Sequence, residues 1–268
     1  MNLNYMVKLS EDENWVMPKH HYHQGIEVLL CVTNSGKIFI EDKVYPLNRG
    51  TLLVINETTL HRTIVNPNRL YKRYIIHFPL ETLDILSTQK SNLNDIMANK
   101  TFCTQLSDQC YQDLVDMLDS IANTSSDEFG QDIISSIKFA NVLVYISRLI
   151  INPDHLEHTS SLEFKRVLPI INYIQDHITE DLSLNKLSEV FYVSKYHLSK
   201  IFKRSTGFTI NEFIIQKRIL LAKDYLKNGF SVQYSGEKSG FNDYSHFIRT
   251  FSKSTGISPG RYAKEFKT

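Results

Sequence analysis

No stretch of the sequence is apolar for long enough to be read as a membrane span. The longest run, IEVLLCV from Ile26 to Val32, is short and has a Glu inside it, whereas a bilayer requires roughly 20 apolar residues. The first residues, MNLNYMVKLSEDENW, lack the basic start and apolar core of a secretory signal. Cysteine is scarce. Cys31, Cys103 and Cys110 show no pairing pattern, and the last two, read as two turns apart on one helix, are too far apart for a disulfide. These absences exclude a disulfide-stapled secreted scaffold, leave no membrane partner, and make the cytoplasm the expected compartment.

Net charge is also nearly absent, at +1, but the balance is uneven along the chain. Residues 1–160 hold 13 Lys and Arg against 19 Asp and Glu, giving −6; residues 161–268 hold 17 against 10, giving +7. The second half is therefore the one expected to meet a polyanion. A chain of 268 residues can build two separate cores.

What is present divides the same way. Residues 1–151 read as one domain, NPDHLEHTSS (152–161) as a linker without apolar period, and 162–268 as a second domain. From about residue 20 to 80, short β-rich runs (IEVLLCV, KIFIEDKVYPL, TLLVI, RTIV, YKRYIIHF) are separated by turn residues such as NSG, NRG and NPN. This predicts a small antiparallel β-barrel or sandwich. The period then changes. Leu114, Met117, Leu118 and Ile121 fall at i, i+3, i+4 and i+7, and a second helix over 128–150 aligns Ile133, Ile137, Ala140, Val144 and Ser147. Both helices are expected to pack on the barrel, with the 105–122 helix also supplying a homodimer contact.

The basic half contains a repeat of about 49 residues: FKRSTGFTI (202–210) aligns with FSKSTGISP (251–259). In the first unit, RVLPIINYIQDHI carries Pro169 near its start, where a first turn tolerates it. Ser183 caps LNKLSEVF, a bend follows at Tyr192-Val193, and Ser194 caps KYHLSKIFKRST, which Gly207 ends. A long helix over 210–227 leads to the second unit, with Ser231 as cap, a bend at Gly240-Phe241, and an exposed helix ending at Gly256. Two short helices with a tight turn, the second basic on its outer face, form the helix-turn-helix pattern.

YHLSKIFKRSTGFTINEFIIQKRILLAKDYL and GFNDYSHFIRTFSKSTGISPGRY resemble the DNA-binding domain of the AraC/XylS family of bacterial transcription regulators. The match covers roughly 166–265 and includes Phe202, Thr206-Gly207, Arg218, Ala222, Gly240-Phe241, Phe247, Arg249, Phe251, Gly256, Ser258-Pro259 and Tyr262. The first half resembles that family's regulatory barrel of the cupin type. The resemblance implies an α+β chain: a cupin-like barrel with packed helices, then an all-α domain of two helix-turn-helix units joined by a long helix. It implies a regulator and not an enzyme, with no catalytic residues and no cofactor. Its implied partners are double-stranded promoter DNA, an unidentified small-molecule effector, a second copy of the chain, and RNA polymerase as a candidate.

Motif by motif, the resemblance puts Tyr196, Ser199 and Lys200, and Tyr244, Ser245 and Arg249, on the faces that read bases in successive major grooves about 34 Å apart. Lys195, Lys203, Arg204, Arg218 and Lys253 are placed for phosphate. Ser194 and Asn242, at the two helix starts, belong to the same interface. One departure stands out. Where the family has Ile-x-Glu-Ile-Ala after the second cap, this chain has Val232-Gln233-Tyr234-Ser235-Gly236. A hydroxyl for an Ile and a Gly for an Ala predict a looser second unit.

His21, His23, Glu27 and His61 reproduce the His-x-His, Glu, later His spacing of metal-binding cupins. Asn56 and Leu60 depart from that motif. Three readings stay open for the four residues: lining of an effector pocket, structural hydrogen bonds, or metal ligands. The last would make the barrel a metal-dependent enzyme with an accessory DNA-binding domain.

Overall fold

The computed structural model describes residues 3–13, 15, 25–41, 43–56, 59–98, 101–122, 128–151 and 162–265. The linker expected at 152–161 lies outside the described residues, as do His21 and His23. The strand-rich segment forms two antiparallel sheets and not one closed barrel. One has five strands in the order β1-β7-β2-β5-β8: β1 (Met6–Glu13), β7 (Leu70–Phe78), β2 (Ile26–Cys31), β5 (Thr51–Ile55) and β8 (Phe102–Gln105). The other has three in the order β4-β3-β6: β4 (Lys43–Leu47), β3 (Gly36–Ile40) and β6 (His61–Val65).

Every residue of β2 is buried, because this strand is central and covered on both sides. Successive side chains point to opposite faces. Val28 and Leu30 enter a core shared with helices, while Leu29 and Cys31 meet Ile38, Ile40, Tyr45 and Leu47 of the other sheet. The sequence pattern missed β1 and β8. The first is a largely solvated edge strand and the second has four residues.

Helices α1 (Glu81–Leu86), α2 (Leu93–Met97), α3 (Asp108–Ala122) and α4 (Gln131–Ile151) contribute to the core on the outer side of the five-stranded sheet. Here two expectations need correction. Leu114, Leu118 and Ile121 of α3 are buried against the chain's own sheet and helices, so they cannot be the dimer contact. On α4 the buried face is Phe139, Val142, Leu143 and Ile146; Ile133, Ile137 and Val144 point outward, Ile137 being 63% exposed. α4 is apolar on both faces, so the aligned stripe divides: Ser147 is buried and Ala140 half-buried, while its three larger members are exposed. By length and composition α4 could also cross a membrane, with a third of that stretch buried inside the protein. Cys103 lies in β8 and Cys110 in α3, so the two do not share a helix.

The second half is helical: α5 (Leu162–Asp176), α6 (Leu184–Val190), α7 (Lys195–Thr206), α8 (Ile210–Lys227), α9 (Val232–Lys238), α10 (Tyr244–Thr255) and α11 (Pro259–Glu265). Ser183, Ser194 and Ser231 cap α6, α7 and α9 with their side chains, and Thr209 with Glu212 forms a capping box on α8. Gly207 and Gly256 end α7 and α10 at φ 78° and 79°. Pro169 lies inside α5 and not in its first turn, where it removes one helical hydrogen bond.

The substitutions in α9 leave no gap. A Cβ added to Gly236 would stand 2.7 Å from the Phe247 ring, so the glycine allows an aromatic ring to lie directly on the helix backbone. The Ser235 hydroxyl donates to the Ser231 carbonyl at 2.8 Å. Tyr234 stacks on Phe230 at 4.8 Å. The looseness expected of the second unit has no counterpart in this packing.

The two halves share a core. Phe39, Val44 and Leu60 of the sheet domain join Val167, Ile170, Ile174, Leu198, Phe202, Phe208 and Phe213 of the first helix-turn-helix unit. Phe39 faces away from its neighbours Ile38 and Ile40 and makes edge contacts with Phe208 and Phe213 at 5.9 and 6.0 Å. Beside it, Arg62 lies over the Phe208 ring at 5.0 Å and 3.6 Å from Glu212.

Candidate nucleic-acid interface and sensor site

α7 and α10 each bury one stripe and leave the opposite face open. Leu198 and Phe202 anchor α7, and Phe247 and Phe251 anchor α10, all fully buried. The outward positions are then fixed by the helical period. Ser194, Lys195, Tyr196, Lys200, Lys203 and Arg204 are exposed, and Ser199 is half-buried. Asn242, Tyr244, Ser245, Arg249 and Lys253 are likewise exposed. The Lys200 ammonium sits 5.7 Å from the Tyr196 ring centre, a cation–π contact that steadies both side chains.

Arg218 departs from this group. Its Nε donates to the Ile178 carbonyl at 2.9 Å and its terminal nitrogen to the Glu180 carbonyl at 2.7 Å. Burial lowers its pKa from the usual guanidinium value, and nearby Asp181 opposes that. The Gly240 turn comes close enough that a Cβ there would meet Arg218 Nε at 2.8 Å. Arg218 thus ties α8 to the turn between α5 and α6, next to the turn of the second unit. Those two donors are engaged within the chain, whereas Lys195, Lys203, Arg204 and Lys253 are exposed.

Two basic groups escaped the sequence reading. Arg166 on α5 joins His197, Lys200, Ile201, Arg204 and Ser205 of α7 around a cleft of about 260 Å³. His197 was legible, since it lies three and seven residues before Lys200 and Arg204 on one flank. Arg166 was not, because only tertiary packing brings it there.

In the sheet domain, Glu27 on β2 is paired in register with His77 on β7, and its two oxygens lie 3.1 Å from His77 Nε2 and 3.3 Å from His61 Nε2. His61 Nδ1 is 3.0 Å from the Thr59 carbonyl, which can only accept. An imidazole held between a carbonyl and a carboxylate is best satisfied with both nitrogens protonated. Burial by itself would lower the His61 pKa; Glu27 and the Thr59 carbonyl outweigh burial and raise it above the ordinary imidazole value. His77 was missed because YIIHF reads as plain strand, yet its alternation with Arg73 and Ile75 puts it on the inner face. The imidazoles engage different oxygens of Glu27 and do not converge on one point. Among the described residues no group of three His, Cys, Asp or Glu is arranged to hold a metal ion.

At the other end of β7's inner face, Arg73 is buried, paired with Asp12 of β1, and 3.9 Å from the Tyr71 ring centre. Its hydrogen bond is the main reason the Asp12 carboxyl is held below the usual range. The sheet interior therefore has polar groups at both ends of an apolar middle.

Two family models match different parts of the chain. Residues 187–265 match the model of a helix-turn-helix domain, and residues 6–136 that of an AraC-like ligand binding domain. The HTH-type transcriptional regulator YfiF of Bacillus subtilis is 26% identical over 99% of this chain and 84% of its own length. The HTH-type transcriptional regulator SAS0078 of Staphylococcus aureus is 22% identical over 98% of this chain, which spans 34% of that longer protein. The multiple antibiotic resistance protein MarA of Salmonella typhimurium is 30% identical over 94 residues, 35% of this chain and 74% of MarA. The chain belongs to the AraC family of transcription regulators, with an N-terminal ligand-binding domain and a C-terminal helix-turn-helix domain for DNA.

Proposed function

We propose that a small molecule is sensed inside the sheet domain, at the Glu27, His61 and His77 cluster, with His21 and His23 on the segment leading into β2. Such a ligand offers groups that compete with the imidazoles for Glu27. β6 then carries the signal. His61 and Arg62 are neighbours on this strand and point to opposite sides. His61 holds Glu27, and Arg62 holds Glu212 and the Phe208 ring of the first DNA-binding unit. That adjacency is the observation on which the reading rests, because a shift of β6 at one face is a shift at the other.

On DNA, Tyr196, Ser199 and Lys200, with Tyr244, Ser245 and Arg249, face base edges. Ser194, Lys195, Lys203, Arg204, Asn242 and Lys253 face the backbone. The protein acts in the cytoplasm, as a dimer and not as an enzyme, with RNA polymerase as a further partner. The dimer forms through the outer face of α4. Ile137, Val144 and Ile151 recur at sevens, with Ile134, Asn141 and Arg148 three positions before each, a seam of the kind that pairs helices. A polar Asn and Arg within the seam, and the −6 charge of residues 1–160, favour a second copy of the chain over an anionic lipid surface.

The test is Arg62→Ala in the full chain, against DNA enriched from genomic fragments by the wild type. Arg62 belongs to no DNA-facing helix, so a DNA affinity changed severalfold supports coupling through β6. An affinity and a motif both identical to wild type would reject it.

A further inference from the structure

The cleft between α5 and α7 is not accounted for by the reading above. Its walls are Arg166, His197, Lys200, Ile201, Arg204 and Ser205. Among the described residues that line it there is no carboxylate, although acids make up 10 of the 27 charged residues beyond 160. A concave site lined by cations concentrates anions far more than the same charges spread on a convex face. The remaining walls are an apolar side chain and a hydroxyl on a residue only 3% exposed. A backbone contact to DNA needs only an outward face, and Lys195 and Lys203 already provide one. A cleft instead receives a group that projects into it.

The internal repeat sharpens the point. His197, Lys200, Arg204 and Ser205 recur 49 residues later as His246, Arg249, Lys253 and Ser254. The α7 flank is therefore matched on α10. What differs is the helix opposite. In the first unit α5 brings Arg166 to the flank. In the second unit α8 takes the place of α5, and there Arg218 is turned to the carbonyls of Ile178 and Glu180. Among the described residues, the arginine facing the α7 flank is Arg166, while Arg218 on α8 is held by those carbonyls.

We propose that this cleft binds the phosphate group of a small soluble anion, and that occupancy competes with DNA for Lys200. Phosphate supplies the charge and the acceptor oxygens that arginine forks match in pairs. Arg166 and Arg204 hold it from the two helices, Lys200 closes the rim, and the Ser205 hydroxyl and His197 complete the donor set. Because Lys200 is also on the base-facing side of α7 and Arg204 faces the DNA backbone, an occupied cleft withdraws two DNA contacts. This site lies in the DNA-binding half and involves no residue of the sheet domain, so its failure would leave the sensing reading untouched.

The test uses the full chain and inorganic pyrophosphate at constant ionic strength. Calorimetry is expected to show one pyrophosphate per chain, weakened about tenfold in Arg166→Ala and partly restored in Arg166→Lys. Arg166 is exposed, so the fold should persist, which circular dichroism verifies. Pyrophosphate should also weaken binding to the enriched DNA in the wild type and not in Arg166→Ala. A second outcome is that pyrophosphate does not bind while Arg166→Ala weakens all DNA sequences alike and lowers the salt slope by about one. The phosphate would then be that of the DNA backbone, and the small-anion proposal would fall. If Arg166→Ala alters neither pyrophosphate nor DNA binding, the cleft is not a phosphate site of any kind.

Discussion

At the scale of single residues, Gly236 and His61 carry expectations that can be measured. An alanine at 236 would gain about 1 kcal/mol of helix propensity. It would also push a Cβ to 2.7 Å from the fully buried Phe247 ring, and overpacking of that kind costs about 1–3 kcal/mol. The second effect is the larger, so Gly236→Ala should lower the melting temperature; a rise would show that the ring can move aside. His61 has a pKa raised in the folded state. Its contribution is therefore complete below the unfolded imidazole pKa of about 6.5 and is lost as pH climbs through the folded value. The wild-type melting temperature should fall as pH rises from about 6.5 through that raised value. His61→Gln, which keeps a donor beside Glu27 but cannot titrate, should flatten the fall. Equal slopes for both proteins would show that His61 does not control this dependence.

At the scale of elements, α3 and α4 separate what periodicity can tell from what it cannot. The α3 stripe was visible because Asp113, Asp116 and Asp119 break the apolar positions at regular intervals; in the structure Asp116 is exposed, while Asp113 and Asp119 are half-buried at the edges of the packed face. Its role was misread, because an apolar stripe looks the same whether it covers its own domain or a partner. α4 has apolar residues all round, so no periodicity could say which face is inside. The packing of Phe139 against Tyr5 and Phe78 decides it. Ile137→Glu on the outer face of α4 should yield a folded monomer by light scattering at micromolar concentration. Leu118→Glu, which would bury a charge in α3, should instead cost the fold. A wild type already monomeric at that concentration would remove the dimer from this face. The helix-turn-helix units were far more legible, since caps, left-handed glycines and the repeat are local signals. Arg218 was not, because its partners Ile178 and Glu180 lie about 40 residues away in sequence.

At the scale of the whole molecule, the joint between the halves was invisible in the sequence. Phe39 sits in KIFI, where alternation shows that it faces opposite to Ile38 and Ile40 but not what it faces. Its partners, Phe208 and Phe213, looked like the interior of the first DNA-binding unit alone. In the structure a single apolar cluster crosses from β3 to α8. The nearby Arg62–Glu212 pair is part-exposed, so it contributes at most about 1 kcal/mol and serves position more than strength. Burying an aromatic side chain as fully as Phe39 contributes about 1.5–3 kcal/mol, and truncating one to Ala typically costs about 3–5 kcal/mol. The halves should therefore unfold together in the wild type, as one calorimetric transition. Phe39→Ala removes the shared ring while leaving Ile38 and Ile40 in the sheet interior, and the Phe202–Phe213 contact in the first unit. It should split unfolding into two transitions, with hydrogen exchange rising in β6, an edge strand of its sheet, and in its neighbour β3. If unfolding stays a single transition and the exchange of β3 and β6 is unchanged, the sensor and DNA halves are held together by something other than this aromatic joint, and transmission through β6 loses its mechanical basis.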